Sequence, residues 1–317
     1  MFTWEDAAKP IVALAPMAGI TDASYRQIIK SLAPEVIVFT EFLSTDALSY
    51  GAEKTRRMLE FDPTIERPFI VQIFGNDPDH FVASCKIIEE IGADGIDINM
   101  GCPAAKIVSS CHGSALIRRS DLAAKLVSAA ASAVKIPVSV KTRLGWECAE
   151  TLIPFCQKIV EAGAKALSIH GRTYREKFGG EANWEPIYEL KRNVSVPVIG
   201  NGDIKTPADA KRKIGNLDGV MVGRGTMGNP WLMREIVDAL RTENTSSPLP
   251  LPFKEKIPFI LRHCELSIRH KGERRGVLEM RRHLSGYVRG FDGAKETRER
   301  LMHAETLKEV EGILCRI

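Results

Sequence analysis

The segment Asn99-Met100-Gly101-Cys102-Pro103 holds a thiol where it could act as an acid. An ordinary cysteine has a pKa near ~8.5, so it is mostly protonated at neutral pH and can give its proton to an enolate. Gly101 and Pro103 would fix a tight turn around it. A buried structural thiol is the alternative for Cys102, and it is the expectation for Cys111. Lys141, in Lys141-Thr142-Arg143, could supply a cation to an anionic ligand or a salt bridge within the fold. His170-Gly171-Arg172-Thr173 adds an imidazole and a guanidinium, Gln72 an amide, and Pro16-Met17-Ala18 an apolar surface. Two glycine turns, Asn201-Gly202-Asp203 and Gly223-Arg224-Gly225, would let backbone amides approach a phosphate without interference from a Cβ. Arg224 could add a charge-assisted contact there. Taken singly, each turn could also be an ordinary connection between a strand and a helix.

These residues share a placement, because nearly every one stands at the end of a short apolar run. The runs cover 11–15, 36–40, 69–73, 95–99, 138–141, 166–170, 196–200 and 219–222. They are apolar on both faces, as parallel strands covered by helices should be. Helical patterns lie between them, for example over 79–91, 121–134, 149–162 and 207–214, and two of these end in Gly-Ala just past the periodic stretch. Eight such alternations predict an α/β fold of the (β/α)8 barrel type, with active groups at the C-terminal ends of the strands. A doubly wound sheet would favour a GxGxxG turn after the first strand, which Ala15-Pro16-Met17-Ala18-Gly19 is not. Seven of the eight strand ends carry polar or glycine-rich residues, a coincidence that structure alone explains poorly.

The character changes near residue 243. Residues 243–252 read as a polar, proline-rich linker, so we expect a barrel over 1–242 and a small all-α helical domain over 253–317. The whole chain carries 44 Lys+Arg against 40 Asp+Glu, but residues 254–317 hold 15 against 10, so the entire positive excess lies in the last fifth. That is either a solvated helical face or a surface for a polyanion. The seven cysteines include no CxxC pair, which argues against a disulfide framework and against a metal site. The N-terminus has no apolar core of a signal peptide, and no apolar run approaches the roughly 20 residues that cross a bilayer. A cytoplasmic protein, away from membranes, is the expectation.

The combination of Ala15-Pro16-Met17-Ala18-Gly19-Ile20-Thr21-Asp22, Asp97-Ile98-Asn99-Met100-Gly101-Cys102-Pro103, His170-Gly171-Arg172-Thr173, Gly200-Asn201-Gly202-Asp203-Ile204 and Met221-Val222-Gly223-Arg224-Gly225 resembles the bacterial, FMN-dependent tRNA-dihydrouridine synthase family. The resemblance runs from Leu14 to about Tyr287. It implies that NADPH or NADH reduces bound FMN, and that the C5=C6 bond of selected tRNA uracils is then reduced. Position by position it implies that Pro16, Met17 and Ala18 pack on the isoalloxazine, with Gln72 and Lys141 at its polar edge. Asn201, Gly202, Asp203, Gly223 and Arg224 would hold the ribityl-phosphate tail, and His170 and Arg172 would lie near flavin or substrate. Asn99 and Arg172 would meet the uracil, and Cys102 would be its proton donor.

That last role also follows from the chemistry. The uracil C5=C6 bond is conjugated to the C4 carbonyl, so hydride adds at C6 and the resulting enolate needs a proton at C5. Lys141 would stabilise a reduced flavin, which is anionic near N1. A stacked uracil must be extruded to reach such a site, and phosphate contacts elsewhere must offset that cost. Arg281-Arg282-His283-Leu284-Ser285-Gly286-Tyr287 resembles the family's RNA-binding helix, so Arg281 and Arg282 are expected to touch tRNA. A monomer is expected with so large and asymmetric a partner. Two rivals stay open at this level: a flavin barrel acting on a small pyrimidine, which has no use for a basic helical tail, and a flavin-free RNA-binding scaffold.

Overall fold

The apolar runs form parallel strands because each buries both faces, one in the barrel and one beneath helices. The computed structural model describes residues 1–241 and 251–317. Among the described residues there are nine strands: β1 (Ile11–Leu14), β2 (Val38–Phe39), β3 (Leu43–Ser44), β4 (Phe69–Phe74), β5 (Gly95–Met100), β6 (Val138–Arg143), β7 (Ala166–His170), β8 (Val198–Asn201) and β9 (Gly219–Val222). All pairings are parallel, in the order β1-β9-β8-β7-β6-β5-β4-β2, with β3 also on β4. The ring is drawn together between β1 and the chain before β2. There the Leu14 N–H donates to the Ile37 carbonyl at 2.9 Å and the Ile37 N–H to that of Val12 at 3.0 Å. The result is a nearly closed (β/α)8 barrel, as expected from the sequence.

The second barrel strand is the one that departs most from its expected run, being broken into β2 and β3. Its ladder stops at Thr40, where the side-chain hydroxyl takes the place of a backbone carbonyl and accepts the Gln72 N–H at 2.9 Å. Elsewhere the alternation of a strand is plain in β1. Ile11, Ala13 and Ala15 join Trp4, Phe39, Ile70, Ile199 and Met221 inside the barrel, while Val12 and Leu14 join the layer under the helices.

That outer layer comprises α1 (Ala23–Leu32), α2 (Pro78–Glu90), α3 (Ser120–Ala133), α4 (Leu152–Glu161), α5 (Glu185–Asn193), α6 (Pro207–Ile214) and α7 (Leu232–Arg241). Capping fixes several starts: Asp22 accepts the Tyr25 N–H before α1, and Thr206 and Asp209 form a capping box before α6. Four further helices follow, α8 (Phe253–Lys271), α9 (Glu273–Tyr287), α10 (Ala294–Leu301) and α11 (Leu307–Leu314). They bury an apolar cluster of their own that includes Ile260, Val277, Met280, Leu284 and Leu314. Residues 243–250 of the expected linker lie outside the described residues; Leu251 and Pro252 lead into α8. Among the described residues no helix is long and apolar enough to cross a membrane.

The helical part is seated on the barrel by three kinds of contact. Tyr25 of α1 packs against the buried imidazoles of His263 and His283, at ring separations of 5.5 and 4.7 Å, and the two imidazoles meet each other edge to face at 4.6 Å. Asp22 pairs with Lys271, and that ion pair, assisted by hydrogen bonds from Ser24 and Tyr25, overcomes burial and holds the Asp22 carboxyl far below its ordinary range. Gly228 and Gly286 meet backbone to backbone, so closely that a Cβ on Gly228 would lie 2.1 Å from the Gly286 carbonyl carbon.

Candidate active site

The C-terminal ends of the strands open into a cavity of about 1460 Å³. A pocket for one small ligand occupies about 300–1,000 Å³, so this one has room for two groups together. Strand register builds its floor in layers. Gln72 lies beside Asp97 and Asp97 beside Ser139; Asn99 lies beside Lys141; Arg143 lies beside His170, and His170 beside Asn201. Side chains two residues apart on a strand share a face, so Lys141 and Arg143 both reach the cavity.

The cavity collects most of the residues singled out from the sequence. Pro16, Met17, Ala18, Asn99, Cys102, Lys141, His170, Arg172, Asn201, Gly202, Asp203, Gly223 and Arg224 all line it. Cys102 is partly exposed there. Its turn is pinned by Asn99, whose Oδ1 accepts the N–H groups of Gly101 at 3.1 Å and Cys102 at 2.9 Å. Burial pushes the Cys102 thiol above its ordinary pKa, opposed by the Ala104 amide and by the charges of Arg143 and Lys141. The thiol therefore holds its proton at neutral pH. Lys141 donates to Asn201 Oδ1 at 3.1 Å, and burial, with the neighbouring Arg143 charge, brings its pKa down to about 8. It remains a cation at neutral pH, but not by a wide margin.

His170 is neutral: burial and the charges of Lys141, Arg143, Arg172 and Arg224 push its pKa far below the usual value. Its Nδ1 is buried and has no hydrogen-bond partner among the described residues. Arg172 is almost wholly buried, with Nε donating to the Gly179 carbonyl at 2.7 Å and Nη2 to Gly180 and to Asp203, both at 2.6 Å. Its Nη1 is likewise left without a partner among the described residues. Burial works against the Asp203 carboxylate, but bonds from Arg172 and the Ala182 N–H outweigh it and keep the carboxyl below its ordinary pKa. Asp203 thus orients Arg172 rather than offering a donor to an anion.

The turn after β8 requires its glycine. Gly202 has φ +132°, and a Cβ there would lie 2.7 Å from that of Ala182. After β9, Gly223 caps the short 3-10 turn Arg224–Thr226, whose first amides have no acceptor within the turn. Charge reinforces the geometry. Ten cations line the cavity (Lys141, Arg143, Arg172, Lys177, Lys205, Arg212, Lys213, Arg224, Lys256, Arg289) against three acids, Glu181, Asp203 and Asp209. Such a surplus suits an anionic ligand. Among the described residues no group of three or more His, Cys, Asp or Glu could hold a metal ion.

Three residues singled out from the sequence do not line the cavity. Gln72 is fully buried one layer lower, with its amide bonded to Asp97 and Asn99. Arg281 turns into the helical part, where Nη2 donates to the Ala304 carbonyl at 3.0 Å. Arg282 is exposed at the seam, reaching the Gly19 carbonyl after β1 at 3.4 Å. Conversely, Arg143 was not assigned a role from the sequence, although its spacing of two from Lys141 carried the signal. Phe178, lying under both Arg143 and Arg224 at 5.5 and 5.1 Å, had no such pattern. Lys256 and Arg289, with Gly286 and Tyr287 from the end of the stretch that resembles an RNA-binding helix, bring the helical part into the cavity wall.

Fold and site define a parallel barrel with a cation-rich chamber at its C-terminal rim and a partly exposed thiol inside it. The comparison with known proteins narrows this class. The family described as dihydrouridine synthase matches residues 13–316, and the chain belongs to that family. It is 39% identical over 289 residues to tRNA-dihydrouridine synthase B of Pseudomonas aeruginosa, covering 90% of this chain and 86% of that one. It is 34% identical over 304 residues to a probable tRNA-dihydrouridine synthase 1 of Synechocystis, covering 95% and 84%. A probable tRNA-dihydrouridine synthase of Rickettsia bellii is 37% identical over 290 residues, covering 90% and 88%.

Proposed function

We propose that this chain is an FMN-dependent oxidoreductase that reduces the C5=C6 bond of uracils in tRNA, with NADPH or NADH as reductant. One observation carries the reading: the partly exposed Cys102 thiol shares a cation-rich chamber with Lys141 and two glycine turns. The residues present fit a flavin phosphate. Arg172 Nη1 is a buried donor without a partner among the described residues, and the first amides of the turn at Arg224 are free of acceptors within the turn. Pro16, Met17 and Ala18 offer the apolar wall for the ring system, and Lys141 the cation for its polar edge.

When bound and reduced, the flavin supplies a hydride for C6 of the uracil ring. Asn99 and neutral His170 hold the polar edge of the base. Cys102 gives its thiol proton to C5, and the thiolate left behind faces the charges of Arg143 and Lys141 until solvent returns a proton. Residues 1–242 act as the catalytic barrel and 253–317 hold the tRNA, with 243–252 joining them. Tyr287, Lys256 and Arg289 complete the chamber from the helical side, where an extruded base would enter.

The test is to incubate the purified, flavin-loaded protein with NADPH and unmodified tRNA, and to map dihydrouridine by mass spectrometry. New dihydrouridine at discrete positions is the expected result. No product on any tRNA, or equal turnover of free uracil, would overturn the reading.

A further inference from the structure

Below Cys102 lies a buried carboxylate that the proposed reaction does not use. Asp97 is completely buried. Ser139 Oγ donates to its Oδ1 at 2.7 Å, and Gln72 Nε2 to its Oδ2 at 2.6 Å. Gln72 Oε1 in turn accepts from Asn99 Nδ2 at 2.9 Å, and Asn99 Oδ1 accepts the two N–H groups of the cysteine turn. An ionised carboxylate can only accept, whereas a side-chain amide fits the same outline in either of two orientations. Asp97 therefore forces Gln72 to present its NH2 downward and its oxygen to Asn99. Asn99 must then present its own NH2 to Gln72 and its oxygen to the turn. A reversed Asn99 would set an NH2 against two N–H donors and release the turn.

We propose that Asp97 is a positioning residue: through Gln72 and Asn99 it fixes the polarity of a hydrogen-bond relay that holds the Cys102 thiol in place. The proposal rests on the reading of Cys102 as proton donor. Burial pushes the Asp97 carboxyl up to about 6, opposed by the bonds from Gln72 and Ser139 and by the Lys141 charge, so it is still ionised at neutral pH.

The test compares wild type with Asp97→Ala, Asp97→Asn and Gln72→Met, reading iodoacetamide labelling of Cys102 by peptide mass spectrometry alongside tRNA reduction. Loss of the relay should speed labelling of Cys102 about fivefold, the equivalent of one net hydrogen bond. It should also lower kcat about 100-fold with little change in KM for tRNA. Asp97→Asn should stay within about twofold of wild type on both readouts, because its carbonyl still accepts from Gln72 while its NH2 turns to the Ser139 hydroxyl. Gln72→Met should behave like Asp97→Ala, and it decides the matter if Asp97→Ala does not fold. Unchanged Cys102 labelling in the folded variants, or an Asp97→Asn as impaired as Asp97→Ala, overturns the proposal. Because labelling is read on the protein alone, a wild-type chain inactive on tRNA would refute the functional reading separately.

Discussion

Cys102 and Lys141 divide the chemistry between a proton and a charge. Cys102→Ala should bind flavin normally and accept electrons from NADPH, yet lose about 100-fold or more in the rate of tRNA reduction, the usual scale of general-acid catalysis. Stopped-flow absorbance separates the two half-reactions, and a variant slowed in flavin reduction instead would remove Cys102 from its role. Lys141 gives a pH dependence with a definite sign. Its folded pKa of about 8 lies below the ordinary 10.5, so the cation is present at pH 7 and lost as pH rises through 8. FMN affinity of the apoprotein should therefore weaken about five- to tenfold between pH 7 and 9, and Lys141→Met should bind weakly with no such limb. Calorimetric titration at several pH values reads this directly. Both residues were legible in the sequence because each ends an apolar run in a recognisable pattern. Gln72 was legible as a strand residue, but not its depth. Which layer of a barrel a side chain occupies depends on strand stagger, and Asp97 and Asn99 reach its amide only through the register of β4 on β5.

At the scale of elements, the expected strands and helices agree with the observed ones to within a few residues, since β-branched runs and glycine stops are local signals. The break between β2 and β3 was not visible, because it depends on Thr40 meeting Gln72 from another strand. Equally invisible was the approach of the loop after β9 to α9. A Cβ on Gly286 would lie 2.9 Å from the Gly228 Cα, with backbone rather than a flexible side chain in the way. Gly286→Ala should cost about 1–3 kcal/mol in urea unfolding, the range for overpacked contacts. Gly312 is the control: it lies within α11 and an added Cβ meets nothing within 4 Å. Gly312→Ala should stabilise by about 0.5–1 kcal/mol, as a relieved helix glycine does. Equal effects at the two positions would deny the close contact.

For the whole molecule, the basic bias of the last fifth of the chain was plain from composition, but the use of each arginine was not. Arg281 and Arg282 are neighbours in sequence, yet one bonds within the helical part and the other reaches the barrel rim. On the proposed function, Arg282→Ala should weaken tRNA binding and reduce the slope of log affinity against log salt by about 1. Arg281→Ala should leave that slope unchanged, and filter binding across a salt series distinguishes them. The shared wall of the chamber has a wider consequence. Lys256, Gly286, Tyr287 and Arg289 border the same space as Cys102 and Lys141, so the room available to an arriving nucleotide is set jointly by two stretches far apart in the gene. Exchanging the terminal helices between relatives would remould the reaction vessel itself as well as its handle, and such hybrids should change what fits inside along with how firmly it is gripped.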